Sequence, residues 1–261
     1  MSESEIVPAV ERQRHWRFDW VLPILFRPRK TFPQIVGGAF SNWQVPVLLL
    51  LAVALLEVFA AGNVRRTAAA AGEITLPPGF EFYSPEQQAQ YMQATSATSS
   101  PAFLYVLPGL AAITKVLLLW LLVGGILHLV LTLLGGRGDT GAVMNLVAWA
   151  SLPLVIRSLV HAISIFSTGR LIASPGLSGL VTADGGSWSL FQIAWLSLVD
   201  IYLIWYVALL VIGVRASTGL PLGKVIGGVF LTVLLVLLAQ ALLKFGMSKL
   251  SDLTIVRPFL F

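Results

Sequence analysis

Polar and apolar positions in this chain alternate on the scale of twenty residues. Long, nearly unbroken apolar runs are separated by short segments that carry most of the charge. A hydrocarbon layer about 30 Å thick is crossed by about 20 helical residues at about 1.5 Å each. Five stretches fit that requirement: 45–61, 104–134, 143–166, 190–214 and 225–245. The second is longer than one crossing needs, and Pro108-Gly109 near its start puts the beginning of its span near Leu110. Pro153 falls inside the third. The pattern predicts an all-α integral membrane protein with five transmembrane helices and an N-terminal interfacial amphipathic segment. It divides into a cytoplasmic and interfacial segment (1–43), a membrane domain (44–246) with an outer loop (62–101), and an external tail (247–261).

The segments between the runs carry their own signals. In FDWVLPILFRPRKTFPQIVGGAF, aromatics at positions 18, 20, 26, 32 and 40 interleave with Arg27, Arg29 and Lys30, and Pro23, Pro28 and Pro33 prevent one long helix. Aromatic and basic side chains together suit the headgroup layer. Trp20, Arg27, Arg29, Lys30 and Phe32 are therefore expected as interfacial anchors on short surface helices; the alternative is an irregular linker. In the outer loop, Ser84-Pro85-Glu86-Gln87 has the pattern of a capped helix start, with Ser84 as N-cap and Gln87 at the capping-box position. A short helix through about Met92 follows. Glu73, Glu81 and Glu86 make this loop acidic, which suits a partner surface or simply a solvated loop.

The stretch LLGGRGDTG, between the second and third runs, invites a phosphate-loop reading. No lysine follows its glycines and no strand precedes it, so the groups that would meet phosphate and Mg²⁺ are missing. Arg137-Gly138-Asp139 spells an adhesion tripeptide, but the charge distribution places this loop on the inner side. What remains is a tight hairpin turn in which Gly135, Gly136 and Gly138 let the chain reverse. Asp139 or Thr140 caps the next helix, and Arg137 faces headgroups.

Composition agrees with this picture. Of 261 residues, 57% are hydrophobic and only 11% charged, against about 25% charged in a soluble domain. Mean hydropathy is +0.85. The absence of cysteine removes disulfides, thiolate metal sites and cysteine nucleophiles. The N-terminus lacks the basic, apolar and small-residue succession of a signal peptide, so it is expected to remain in the mature chain. The formal charge of +5 suits membrane orientation and anionic headgroups better than nucleic acid. Nine basic residues fall on the N-terminal side: Arg12, Arg14, Arg17, Arg27, Arg29, Lys30, Arg137, Arg215 and Lys224. Five fall opposite: Arg65, Arg66, Arg170, Lys249 and Arg257. The N-terminus is expected in the cytoplasm and the C-terminus outside.

Ionisable residues within spans are costly in lipid unless paired, and so mark candidate sites. They are Glu57, Lys115, His128, Arg157, His161, Asp200 and Lys244. Glu57 lies toward the outer end near Arg65 and Arg66, and Lys115 can snorkel outward; both read as structural. Arg157 in the third span and Asp200, taken as midway along the fourth, fall at comparable depth. They are expected to pair, as a structural ion pair or as a relay. His128 and His161 lie at different depths, with no metalloprotease spacing and no carboxylate beside them in sequence. No catalytic residue, cofactor or metal site is expected. Gly124 and Gly125, and Gly223 with Gly227, read as helix-packing positions within the bundle or against another subunit.

Several of these pieces share one order. RPRKTFPQI precedes the first span, LHLVLTLLGGRGDTGAVMNLVAWASLPLVI forms the second turn and third span, and DIYLIWYVALLVIGVRASTGLPLGKV forms the fourth. Over roughly residues 25–245 the chain resembles the Yip-domain family, the Rab-interacting five-span membrane proteins, in its bacterial form. The resemblance implies five helices, a cytoplasmic N-terminus and no catalytic residues; eukaryotic members recruit small GTPases, and some bacterial ones accompany exporters. The expected function is a non-catalytic membrane scaffold or accessory subunit that contacts lipids and other membrane proteins. It would act in a hetero-oligomeric complex or homo-oligomer, serving transport, export or energy conversion. The alternative is a small-molecule or ion permease using Arg157 and Asp200.

Overall fold

The computed structural model describes residues 16–37, 42–71, 79–136, 138–182 and 186–256. Arg12, Arg14, Phe40, Glu73, Arg137 and Arg257, used in the sequence arguments, lie outside them. The described residues form helices joined by turns and loops, without strands. In chain order the helices are α1 (Val21–Phe26), α2 (Pro28–Val36), α3 (Gln44–Ala70), α4 (Pro85–Thr98), α5 (Leu107–Leu133), α6 (Thr140–Ala150), α7 (Leu152–Thr168), α8 (Ser187–Leu196), α9 (Ile201–Thr218) and α10 (Leu222–Val256). Five helical segments are long and apolar enough to cross a membrane: Gln44–Ala70, Ala102–Leu133, Thr140–Thr168, Ile201–Thr218 and Leu222–Lys249.

These spans close into a ring. α3 packs along α7 and against α5, α10 packs against α5 and α9, and α9 packs against α6 and α7. Its core holds Leu127, Leu146, Leu209, Leu210, Val225 and Val229, each almost wholly removed from solvent.

Local chemistry sets where each span starts, bends and stops. Span two opens with a π-helical turn at Ala102–Val106 just ahead of Pro108, a wider turn that accommodates the missing proline N–H. Span three breaks at Ser151 because Pro153 cannot donate to the Trp149 carbonyl. Ser151 instead bonds back through its hydroxyl to the Ala148 carbonyl at 2.6 Å. The turn between spans two and three is a Schellman end. Gly136 N–H reaches the Leu131 carbonyl at 2.9 Å and Gly135 N–H the Thr132 carbonyl at 3.0 Å. Gly135 holds φ +91°, a value that L side chains avoid. A Cβ at Gly138 would meet only Val143, at an ordinary 3.9 Å. Asp139 caps α6, accepting from Ala142 N–H at 3.2 Å. Lys224 donates to the Leu134 carbonyl at 3.0 Å, tying span five to the same turn.

Four expectations change. The fourth span is not continuous over 190–214: the chain breaks at 197–200 between α8 and α9. Asp200 is the N-cap of α9, accepting from Leu203 N–H at 2.7 Å, rather than a residue midway along a helix. Second, Trp20 (7% exposed) and Phe32 (0%) are core residues, not headgroup anchors. α2 lies against α9, and α1 against α6 and α7, so the inward faces of these helices bury Trp20, Ile24, Thr31, Phe32 and Ile35 while Arg27, Arg29 and Lys30 stay exposed. Third, a Cβ at Gly223 or Gly227 would meet nothing within 4 Å among the described residues; Gly228 instead packs on Val130 and Leu134. Gly124 does face a partner, Met144, whereas Gly125 meets nothing. Fourth, the outer loop and tail are more helical than expected. α3 runs on to Ala70, α4 reaches Thr98, and α10 continues to Val256. The capping box starts α4: Ser84 N–H donates to Gln87 Oε1 at 2.9 Å and Gln87 N–H to Ser84 Oγ at 3.3 Å.

Candidate functional site: a polar layer and a cavity inside the ring

Asn42 fixes the depth of the first span. Its backbone N–H donates to Asn145 Oδ1 at 3.2 Å, a buried bond, so α3 starts beyond the first turn of α6. Counting about 1.5 Å per residue from the 134–139 turn, Arg157, Asp200, Lys115, Glu57, His161 and Lys244 all fall about 26–33 Å along the bundle. They form one layer in the half of the bundle away from that turn.

Within the layer, ionisable groups are matched across helices. Arg157 Nη1 lies 3.3 Å from Asp200 Oδ2, joining α7 to the start of α9. Asp200 is thereby doubly engaged, through one oxygen to the guanidinium and through the other to the helix N-terminus. His161 Nδ1 lies 3.3 Å from Glu57 Oε1, joining α7 to α3. Glu57 thus turns toward His161 rather than the exposed Arg65 and Arg66. Lys244 Nζ reaches Ser197 Oγ at 2.8 Å, holding the break before α9 against α10. The same break is braced by Leu177, whose N–H meets the Leu196 and Val199 carbonyls, each at 3.0 Å.

Lys115 differs from its neighbours. It has no hydrogen bond or ion pair to any described residue; exposed itself, it stands at the edge of a partly open cavity of about 210 Å³ lined by residues of all five spans. Arg157, Ser151, Ser158 and Gln240 supply the other polar lining, while most of the wall is aliphatic. Toward the 134–139 turn the ring closes over packed apolar residues, and Phe32 and Leu146 fill the space that Gly213 leaves on α9. His128 lies at that end, apart from the layer, with Nε2 3.2 Å from Thr140 Oγ1. No group of three or more metal-ligating side chains occurs among the described residues.

Sequence reasoning named Arg157 and Asp200 as a pair, and the structure places them together. It did not connect His161 with Glu57, 104 positions apart, nor detect the cavity. Spans one and three run in the same direction, so comparing depths could have found the first; no sequence signal marks the second. Residues 23–243 match the family model of the Yip1 domain. No curated protein and no solved structure matches the chain.

Proposed function

The chain belongs to the Yip1-domain family, and from that premise we propose that it acts as a non-catalytic integral membrane scaffold or accessory subunit. Its partners are other membrane proteins, as in a transport, export or energy-converting complex, and its N-terminal helices lie on the cytoplasmic side of a bacterial membrane. The observation that supports this reading is the engagement of the charged layer. Arg157 with Asp200, and His161 with Glu57, join α7 to α9 and to α3, so these side chains work as cross-braces. A relay through the Arg157–Asp200 pair needs its carboxylate free to exchange partners, and Asp200 is held from two sides.

The permease alternative has the cavity in its favour. Against it stands the packed half of the ring, where Leu127, Leu131, Leu146 and Leu210, with Phe32 and Ile24 from the N-terminal helices, fill the interior toward the 134–139 turn, and the buried polar Thr31 and Asn145 there are hydrogen-bonded within the protein. Purification of the full chain from its native membrane in mild detergent, followed by mass spectrometry, separates the two. Stoichiometric copurifying subunits are expected. A lone homo-oligomer that moves a solute in liposomes overturns the proposal in favour of the permease.

A further inference from the structure

The cavity is chemically two-ended. Lys115 and Arg157 stand at its level farther from the 134–139 turn, and Val123 and Val147 line it nearer that turn. From Lys115 to Val123 is about 12 Å along α5. Arg157 is neutralised by Asp200 at 3.3 Å. Of the two cations in the lining, the Lys115 ammonium is then the one without a direct partner among the described residues. The Lys115 side chain is exposed at the cavity's open edge, and an ammonium at that depth of a membrane-spanning helix is costly unless it is paired. An apolar cavity of about 150 Å³ is enough for benzene, so about 210 Å³ admits a short hydrocarbon segment but not a two-chain lipid.

We propose that this cavity binds one single-chain amphiphile with a carboxylate head, a free fatty acid drawn from the bilayer. The carboxylate accepts from Lys115 Nζ, with Ser158 and Gln240 at the same level, and the chain lies along Val116, Val123 and Leu237 toward the packed half of the ring. One uncommitted cation selects a monoanion, and the aliphatic wall selects a chain over a compact polar anion. This proposal stands apart from the scaffold reading, since a bound fatty acid is compatible with either presence or absence of partner subunits.

The test uses the full chain in a nonionic detergent. Trp120 lines the cavity, so bromodecanoate seated there quenches its fluorescence, and Trp120→Phe identifies that part of the signal. Saturable quenching by bromodecanoate is expected, weaker by about ten-fold or more for Lys115→Met and for the neutral analogue bromodecanol with the unaltered chain. Val123→Phe, which fills the apolar end without touching the cation, is expected to abolish it. Should Lys115→Met fail to fold, the acid-to-alcohol comparison on the unaltered chain decides alone. Equal affinity for acid and alcohol, quenching that rises without saturation, or quenching unchanged by Val123→Phe overturns the proposal. Tighter retention of a two-chain anionic lipid than of the fatty acid, seen by native mass spectrometry, overturns it as well.

Discussion

At the scale of single residues, Asp200 combines two tasks that substitution can separate. Asparagine keeps an N-cap for α9 but leaves Arg157 without its counter-charge; alanine removes both. Breaking a fully buried pair costs about 3–5 kcal/mol. With Arg157 and Asp200 side chains 27% and 14% accessible, Asp200→Asn is expected to cost about 2 kcal/mol, below that range because the stranded guanidinium is partly solvated. Asp200→Ala loses about 1 kcal/mol more with the cap. Arg157→Met added to Asp200→Asn should recover most of the loss. Unfolding in mixed micelles measures all three, and equal losses for Asn and Ala, or strict additivity in the double variant, contradict the two-task account. The pairing was legible because both residues are expensive in lipid and sit at similar counted depths. The capping role was legible too, in Ser-Leu-Val-Asp ahead of an apolar run, but the continuous hydropathy of 190–214 hid it. Gly62 escaped because its constraint is tertiary: a Cβ there would approach the Leu104 carbonyl oxygen to 2.9 Å. Gly62→Val is expected to destabilise the fold by about 1–3 kcal/mol, whereas Gly223→Ala stays within about 0.5 kcal/mol; thermal unfolding compares them.

At the scale of elements, the N-terminal helices are structural members of the ring. The mixture of aromatic and basic residues suggested a headgroup anchor, and composition alone cannot say which way a ring points. Helical periodicity can, for Thr31, Phe32 and Ile35 fall on one face and Arg29, Lys30, Pro33 and Gln34 on the other. Trp20 extends the inward face, meeting Trp149 edge-on at 5.7 Å beneath Arg17, which lies 4.0 Å above its ring. Phe32→Ala is expected to destabilise the bundle by about 3 kcal/mol, while Arg29→Ala changes stability by less than about 0.5 kcal/mol. Chemical denaturation of the two variants checks this. If they behave alike, α2 is a surface anchor after all. The five spans themselves were readable from length and hydropathy, because a bilayer imposes one crude rule on each crossing. Their inner breaks were harder to see, since a proline or an aspartate displaces only a turn or two within a long apolar run.

At the scale of the molecule, the absence of cysteine gives a silent background for mapping topology. On the proposed orientation, single cysteines at Ser217 and at Gln90, exposed on α4, should label from opposite faces of the membrane, Gln90→Cys from outside with an impermeant maleimide. Labelling of both from one side contradicts the five-span arrangement. Gly227, where a Cβ would meet nothing within 4 Å among the described residues, offers a test of assembly. Gly227→Leu is expected to leave the fold intact and weaken association with any helix that approaches α10 there, read as loss of a copurifying partner. The break before α9 has one further consequence. α9 holds 18 residues, a length of about 27 Å, whereas the α10 portion over Leu222–Lys249 holds 28 and reaches about 42 Å. Ile201 and Ile204 are exposed at the short helix's end, where lipid must meet them. Hydrophobic mismatch of this kind is relieved by local thinning or tilt, at a fraction of a kcal/mol per Å. The protein therefore presents a thin side and a thick side to its bilayer, and a membrane of uneven thickness would orient and sort it.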